Sequence, residues 1–213
     1  MTTPDRAILF IDGNNWYHSL RNAGLNEVGR LDYARVSEKL IGPSRKWVGT
    51  RYYIGQVRQQ SQPTLYAEQR RFLARLTNRD NRITVHLGRL EPRSVDNPAA
   101  YELSAYLGSL TTPIDSTVYR DLFELANRHR VVETQSEKAV DVMLAVDMVQ
   151  MAMRDEYDAG YILSADGDYT PVAAAVHALG KKVYAASPAY GAQLAAKVKS
   201  FIRLTPSWFN DCV

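Results

Sequence analysis

The stretch Ala7-Ile8-Leu9-Phe10-Ile11-Asp12-Gly13-Asn14-Asn15 decides the fold. Five consecutive apolar residues are short for a helix and suit a strand covered on both faces, as in a parallel sheet. The run stops at a carboxylate, then at a glycine that lets the chain turn closely. Two asparagines follow, able to cap the exposed N–H groups of a starting helix. Such a segment opens a strand–helix–strand unit. Taken alone, it fits a capped turn as well as it fits catalysis.

The same construction recurs downstream. Tyr161-Ile162-Leu163-Ser164 runs into Ala165-Asp166-Gly167-Asp168-Tyr169, so an apolar strand delivers two carboxylates across one glycine directly before a helix. One of them could cap that helix, but capping does not need two. Asp141 follows Lys138-Ala139-Val140 at the head of another helix, where the helix dipole alone favours a carboxylate. Its helical face carries Ala145, Met148 and Ala152, which places it at the end of an apolar stripe. Asp147 falls mid-helix on the other apolar face, with Val140, Leu144 and Met151. It therefore needs a hydrogen-bond donor or a place around a metal's ligands.

In an open α/β sheet, ligands bind beyond the carboxyl ends of the strands, so Asp12, Asp141, Asp166 and Asp168 can converge although they are far apart in sequence. Converging carboxylates repel one another unless a cation neutralises them. A hard divalent ion, Mg²⁺ or Mn²⁺, held by oxygen ligands beside a phosphate is the economical reading. Ser164 is placed to hydrogen-bond a water or phosphate there, and Lys138 to contact phosphate. No histidine sits among these motifs apart from His18, one turn after Asn14.

Working outward, the pattern is strand and helix in alternation: strand 7–11, helix 14–23, helix 32–40, strand 47–57, helix 64–78 and strand 82–87, then strand 131–133, helix 137–153, strand 160–164, helix 169–179, strand 182–186, helix 191–197 and an edge strand at 201–204. This predicts a three-layer α/β fold around a mostly parallel sheet. Residues 91–130 are too long for a plain connection and contain two helical pieces, 98–110 and 116–128, so a helical lobe is expected within a single domain. Tyr101, Tyr106 and Tyr119 in that lobe suit packing, and could also stack on bases.

The chain has 213 residues, of which 46% are hydrophobic, enough to bury one substantial core. Its single cysteine, Cys212, excludes an intrachain disulfide and a thiol metal cage. Nowhere do ~20 apolar residues follow one another, and the opening apolar run is too short for a secretion signal. A soluble, cytoplasmic protein is expected, with no membrane partner. The formal net charge is only +3, but residues 51–93 hold nine arginines against three acids, a local +6 that leaves the remainder at −3. Arg70, Arg71 and Arg75, on the helix 64–78, are the candidates for gripping a polyanion. A solvated arginine-rich face without a ligand is the plainer alternative.

Together the motifs resemble a known family. Glu137-Lys138-Ala139-Val140-Asp141-Val142, then Asp147, then Tyr161 through Tyr169, then Gly180-Lys181-Lys182-Val183 look like the NYN domain family, the DUF88 or LabA-like branch of the PIN-like nucleases. Phe10-Ile11-Asp12-Gly13-Asn14-Asn15 is similar to that family's first motif, and the order of motifs agrees. The resemblance implies a PIN-like fold and metal-dependent ribonuclease chemistry, with Asp12, Asp141, Asp166 and Asp168 as the acidic pocket and Asn15 beside it. Ala139 and Ala165 stand where many members carry glycine, and the 91–130 lobe has no recognised counterpart.

The expected activity is hydrolysis of RNA phosphodiesters assisted by Mg²⁺ or Mn²⁺ at those four aspartates. Two alternatives stay open. One is a catalytically silent regulator that binds RNA or a partner. The other is a small-substrate phosphatase, because Asp166-Gly167-Asp168-Tyr169-Thr170 also spells the D-x-D-x-T signature of haloacid-dehalogenase-type phosphatases. In that class the signature follows the first strand, where this chain has Asp12. A homo-oligomer would form through the edge strand near Phe201 or through the lobe.

Overall fold

Alternation along β1 (Asp5–Asp12) builds the three layers. Successive strand residues point to opposite faces. Accordingly Ala7, Leu9 and Ile11 join one core cluster and Ile8 and Phe10 the other. The same parity governs β5 (Ala159–Leu163), where Tyr161 and Leu163 share a face with Leu9 and Ile162 lies with Phe10. The computed structural model describes residues 3–213, leaving out the side chains of residue 92 and residues 135–138.

Two compact units divide the chain, residues 1–89 with 137–213, and Leu90–Ser136. In the larger unit, β1 is flanked by β2 (Arg45–Gln56) and β5, and the strand order β3-β2-β1-β5-β6-β7 is parallel throughout. β6 spans Lys182–Ser187 and β7 Ser200–Arg203 at the edge. Helices α1 (Gly13–Asn22), α2 (Tyr33–Ile41) and α3 (Pro63–Arg79) cover the Leu9 face through Trp16, Leu20, Val36, Leu40 and Leu76. Helices α6 (Val140–Met153) and α7 (Thr170–Ala178) cover the Phe10 face through Leu144, Met148, Val172 and Val176. A one-turn helix, α8 (Ala192–Ala195), is shorter than the 191–197 expected. Leu65, placed on the apolar stripe of α3 by its spacing, is 47% exposed, because only the second half of that helix meets the core.

The smaller unit pairs α4 (Pro98–Ser109) with α5 (Ser116–Arg128), the two helical pieces expected from sequence. Asp115 caps α5 by accepting from the backbone N–H groups of Thr117 and Val118, at 2.8 and 3.1 Å. Two strands run well beyond the sequence reading. β3 runs from Ile83 to Asp96 rather than stopping at Leu87, and β4 covers Val131–Lys138 rather than 131–133, the two being neighbours in the sheet. The strand thus takes Glu137 and Lys138, which the sequence pattern assigns to the first turn of α6. That helix starts after Ala139, whose φ of 71° breaks the extended run.

Candidate functional site

Parity also aims the first carboxylate. Asp12 continues the Ile8-Phe10 face, so it leaves the carboxyl end of β1 on the side covered by α6 and α7. It is 3% exposed. The turn after it is tight. A Cβ on Gly13 would lie 2.6 Å from the Tyr52 ring and 2.6 Å from the Tyr53 carbonyl oxygen, so only glycine fits without a shift. Asp12 caps α1, accepting from the Asn15 backbone N–H at 3.1 Å through Oδ1. Its other oxygen accepts from Ser164 Oγ at 3.3 Å and lies 3.0 Å from the Tyr169 hydroxyl.

Three further elements meet at this point. Asn15 Oδ1 accepts the Ala165 N–H at 3.2 Å, tying α1 to the exit of β5. Ser164, fully buried, accepts from the Asp166 N–H at 3.1 Å while its hydroxyl donates to Asp12. The Tyr169 hydroxyl, 3.0 Å from Asp12, is also 3.0 Å from Asp141 Oδ1. The two carboxylate oxygens thus lie within twice that distance of each other. Asp141 stands exposed on the first turn of α6, not at the end of a buried stripe. The stripe itself is buried from Met148 onward, and the first turn projects beyond the strand ends.

Burial pushes the Asp12 carboxyl up to about 6, and the negative charge of Asp141 adds to that, while the hydrogen bonds from Asn15, Tyr169 and Ser164 act in the opposite direction. Burial, then the charges of Asp12 and Asp141, raise the Tyr169 phenol far above its ordinary value, so it is a neutral donor throughout the physiological range.

The remaining sequence candidates are placed as follows. Asp166 is half-buried and caps the single 3-10 turn before α7, accepting from the Asp168 N–H at 3.0 Å; Asp168 is exposed. Among the described residues, neither carboxylate is hydrogen-bonded to Asp12 or Asp141. Asp147 finds its partners on β2, accepting from the Tyr53 hydroxyl at 2.8 Å and from Arg51 at 3.2 Å, with His86 Nδ1 at 3.8 Å. Tyr53 pairs with Asp12 in the sheet register, so this second polar cluster sits one strand over from the first. Burial and the Arg51 charge hold the His86 pKa below its ordinary value, against an opposing pull from Asp147. The side chain of Lys138 lies outside the described residues. Arg70, Arg71 and Arg75 are all exposed on α3. Among the described residues none of the three is ion-paired; Arg70 lies over the Tyr66 ring, and Arg75 borders a cavity of about 220 Å³ with Arg30 and Arg79.

Sequence reasoning did not assign a role to Tyr169. Its position, next after the Asp166-Gly167-Asp168 run, was visible, but its reach to two other elements was not.

Residues 6–205, nearly the whole chain, match the NYN domain. This chain belongs to the NYN domain family. NYN domains fall within the PIN-like nucleases, whose members generally use a divalent metal. No curated protein matches the chain. A crystal structure of a protein of unknown function from Vibrio parahaemolyticus is similar in fold, with a TM-score of 0.56 at 15% identity over 95% of this chain and 94% of that one. No helix among the described residues of this NYN protein is long and apolar enough to cross a membrane.

The donor set of this NYN domain suits a hard cation in one specific way. Among the described residues, no three acidic, histidine or cysteine side chains form a ready-made metal cage. Mg²⁺ does not require one, since it keeps several waters and is commonly held by one or two carboxylates and the substrate's phosphate. Asp12 and Asp141 supply two all-oxygen ligands whose mutual repulsion a cation would relieve.

Proposed function

We propose that this NYN protein is a metal-dependent ribonuclease, with Asp12 and Asp141 holding Mg²⁺ or Mn²⁺ and Asp166 and Asp168 completing the acidic pocket on the substrate side. The observation that carries the reading is the buried Asp12, brought within one shared phenol of Asp141 at the carboxyl ends of the strands. When bound, the ion would lower the pKa of an attacking water and offset the charge on the scissile phosphate. The chain's own residues do the positioning. Asn15 on α1 and Ser164 just past β5 fix the Asp12 carboxylate, and Asp141 and Asp168 are exposed, as groups that meet an RNA backbone must be. Asp147 orders α6, and hence Asp141 six residues before it, by its bonds to β2. Arg70, Arg71 and Arg75, exposed and without carboxylate partners among the described residues, supply the phosphate contacts that RNA requires. We read the chain as one catalytic domain bearing a helical lobe.

The phosphatase alternative is weakened by position, because Asp166 follows the fifth strand while the first ends in Asp12. The test is a panel of labelled RNA and DNA, structured and single-stranded, with Mn²⁺, with Mg²⁺ and with excess chelator, comparing wild type with Asp12→Asn and Asp166→Asn. Metal-dependent cutting of RNA that Asp12→Asn abolishes supports the proposal. Intact substrates alongside retained, salt-sensitive RNA binding would replace it with the silent-regulator reading.

A further inference from the structure

Asp12 is held from three sides, but Asp141 is not. Asp12 takes hydrogen bonds from Asn15 and Ser164 and lies 3.0 Å from the Tyr169 hydroxyl. Asp141 is exposed on the first turn of α6, and among the described residues the Tyr169 hydroxyl is its one hydrogen-bond partner. An exposed aspartate on a helix samples its rotamers freely unless something fixes it. Tyr169 itself is 2% exposed, its ring packed in the core cluster with Val140, Leu144 and Val172. It is therefore a rigid post, and both carboxylates contact the same atom of it.

A phenol carries one proton, so it can donate to only one of two ionised carboxylates at a time. The second oxygen then faces a lone pair. A hydroxyl so placed fixes the spacing between the two carboxylates while leaving their repulsion incompletely satisfied, an arrangement that favours a cation on the oxygens facing away from it. A phenylalanine ring in the same place would pack equally well but would fix neither carboxylate.

We infer that Tyr169 is a positioning residue for the divalent cation, holding Asp141 in ligating register with Asp12. This rests on the metal reading proposed above. Hydrogen-bond partners behind metal ligands are commonly worth about 10–100-fold in metal affinity. The experiment is Mn²⁺ binding to the full chain in the absence of RNA, followed by the electron paramagnetic resonance signal of free Mn²⁺, for wild type, Tyr169→Phe, Asp141→Ala and the double variant. Far-UV circular dichroism and thermal unfolding would run alongside. The expected result is that Tyr169→Phe weakens Mn²⁺ binding by about 10–100-fold with the fold intact, and that in the Asp141→Ala background the same substitution changes affinity by less than about 3-fold. Equal or tighter binding by Tyr169→Phe, or an equal loss in both backgrounds, overturns the assignment. If Tyr169→Phe does not fold, the role is one of core packing and the assignment also falls. Failure of wild type to bind Mn²⁺ removes the metal reading itself, an outcome distinct from normal wild-type binding with an unaffected Tyr169→Phe.

Discussion

Replacing Asp12 by asparagine should make the metal-free chain more stable at neutral pH, against the usual result for altering a buried, hydrogen-bonded side chain. The carboxyl is raised from an ordinary 3.8 to about 6, with burial the leading cause. Between those two values the folded chain keeps a proton that the unfolded chain has already lost. Stability therefore falls as pH rises from about 4 to about 6, by about 1.4 kcal/mol per pH unit, and stays low above that. The accumulated penalty at pH 7 and above is about 3 kcal/mol. Asparagine carries no charge to bury. Its amide group can also donate to the Tyr169 oxygen, which frees that hydroxyl's proton for Asp141. The gain over wild type should be small at pH 4, rise through the window and level off near pH 7, where it corresponds to about 6–12 °C in Tm for a chain of this size. Urea unfolding in excess chelator, from pH 4 to 8, measures it. Any fixed cost of the amide shifts the whole difference curve without changing its slope, so the slope is the test. A flat difference between the two proteins, or one that shrinks as pH rises, would refute the burial argument.

Four other substitutions probe separate parts of the molecule. Arg71→Ala and Arg75→Ala should each weaken RNA binding and lower the dependence of log affinity on log salt by about 0.7, the value for one phosphate contact on a single strand; filter binding across a salt series reads both. Gly13→Ala forces a methyl group to 2.6 Å from a backbone carbonyl that cannot swing aside, and should cost about 1–3 kcal/mol in urea unfolding, with no change if the turn is looser than described. Asp147→Ala strands the half-buried Arg51 and the Tyr53 hydroxyl, an expected loss of about 1–3 kcal/mol. The same change removes the one charge that favours protonated His86, so the His86 ring should titrate at a lower pH than in wild type by NMR; an upward shift would show that Asp147 does not act on it.

Much of the architecture was legible because local and long-range demands coincide. The run from Ala7 to Ile11 is apolar on both faces because both faces are covered, and Asp12 was readable as a strand-end carboxylate because the apolar run stops there. Strand ends were legible only where glycine or a carboxylate marks them. β3 and β4 outrun their sequence readings through Arg89-Leu90-Glu91 and Thr134-Gln135-Ser136, polar stretches with no strand signature of their own. Glu137-Lys138-Ala139 favours helix on intrinsic grounds. Their strand assignment and the left-handed Ala139 depend on context the sequence does not display. Of the four aspartates read as converging, Asp12 and Asp141 share the Tyr169 hydroxyl, whereas the use of Asp166 as a turn cap leaves its carboxylate outside the hydrogen-bonded group and Asp168 is exposed. The capping alternative had been visible from the start; choosing between it and metal contact needs the backbone geometry.

The central placement of β1 governs when this protein can act. Asp12 is synthesised well before the hydroxyl that fixes it, which belongs to Ser164, 152 positions later. β1 is paired with β5 across the same interval. A nascent chain whose synthesis has not yet passed Ser164 and Tyr169 therefore has no assembled carboxylate pair, however well its earlier helices have formed. For an enzyme that would cut RNA, such an order of assembly keeps the growing chain inert until Ser164 and Tyr169 have been added.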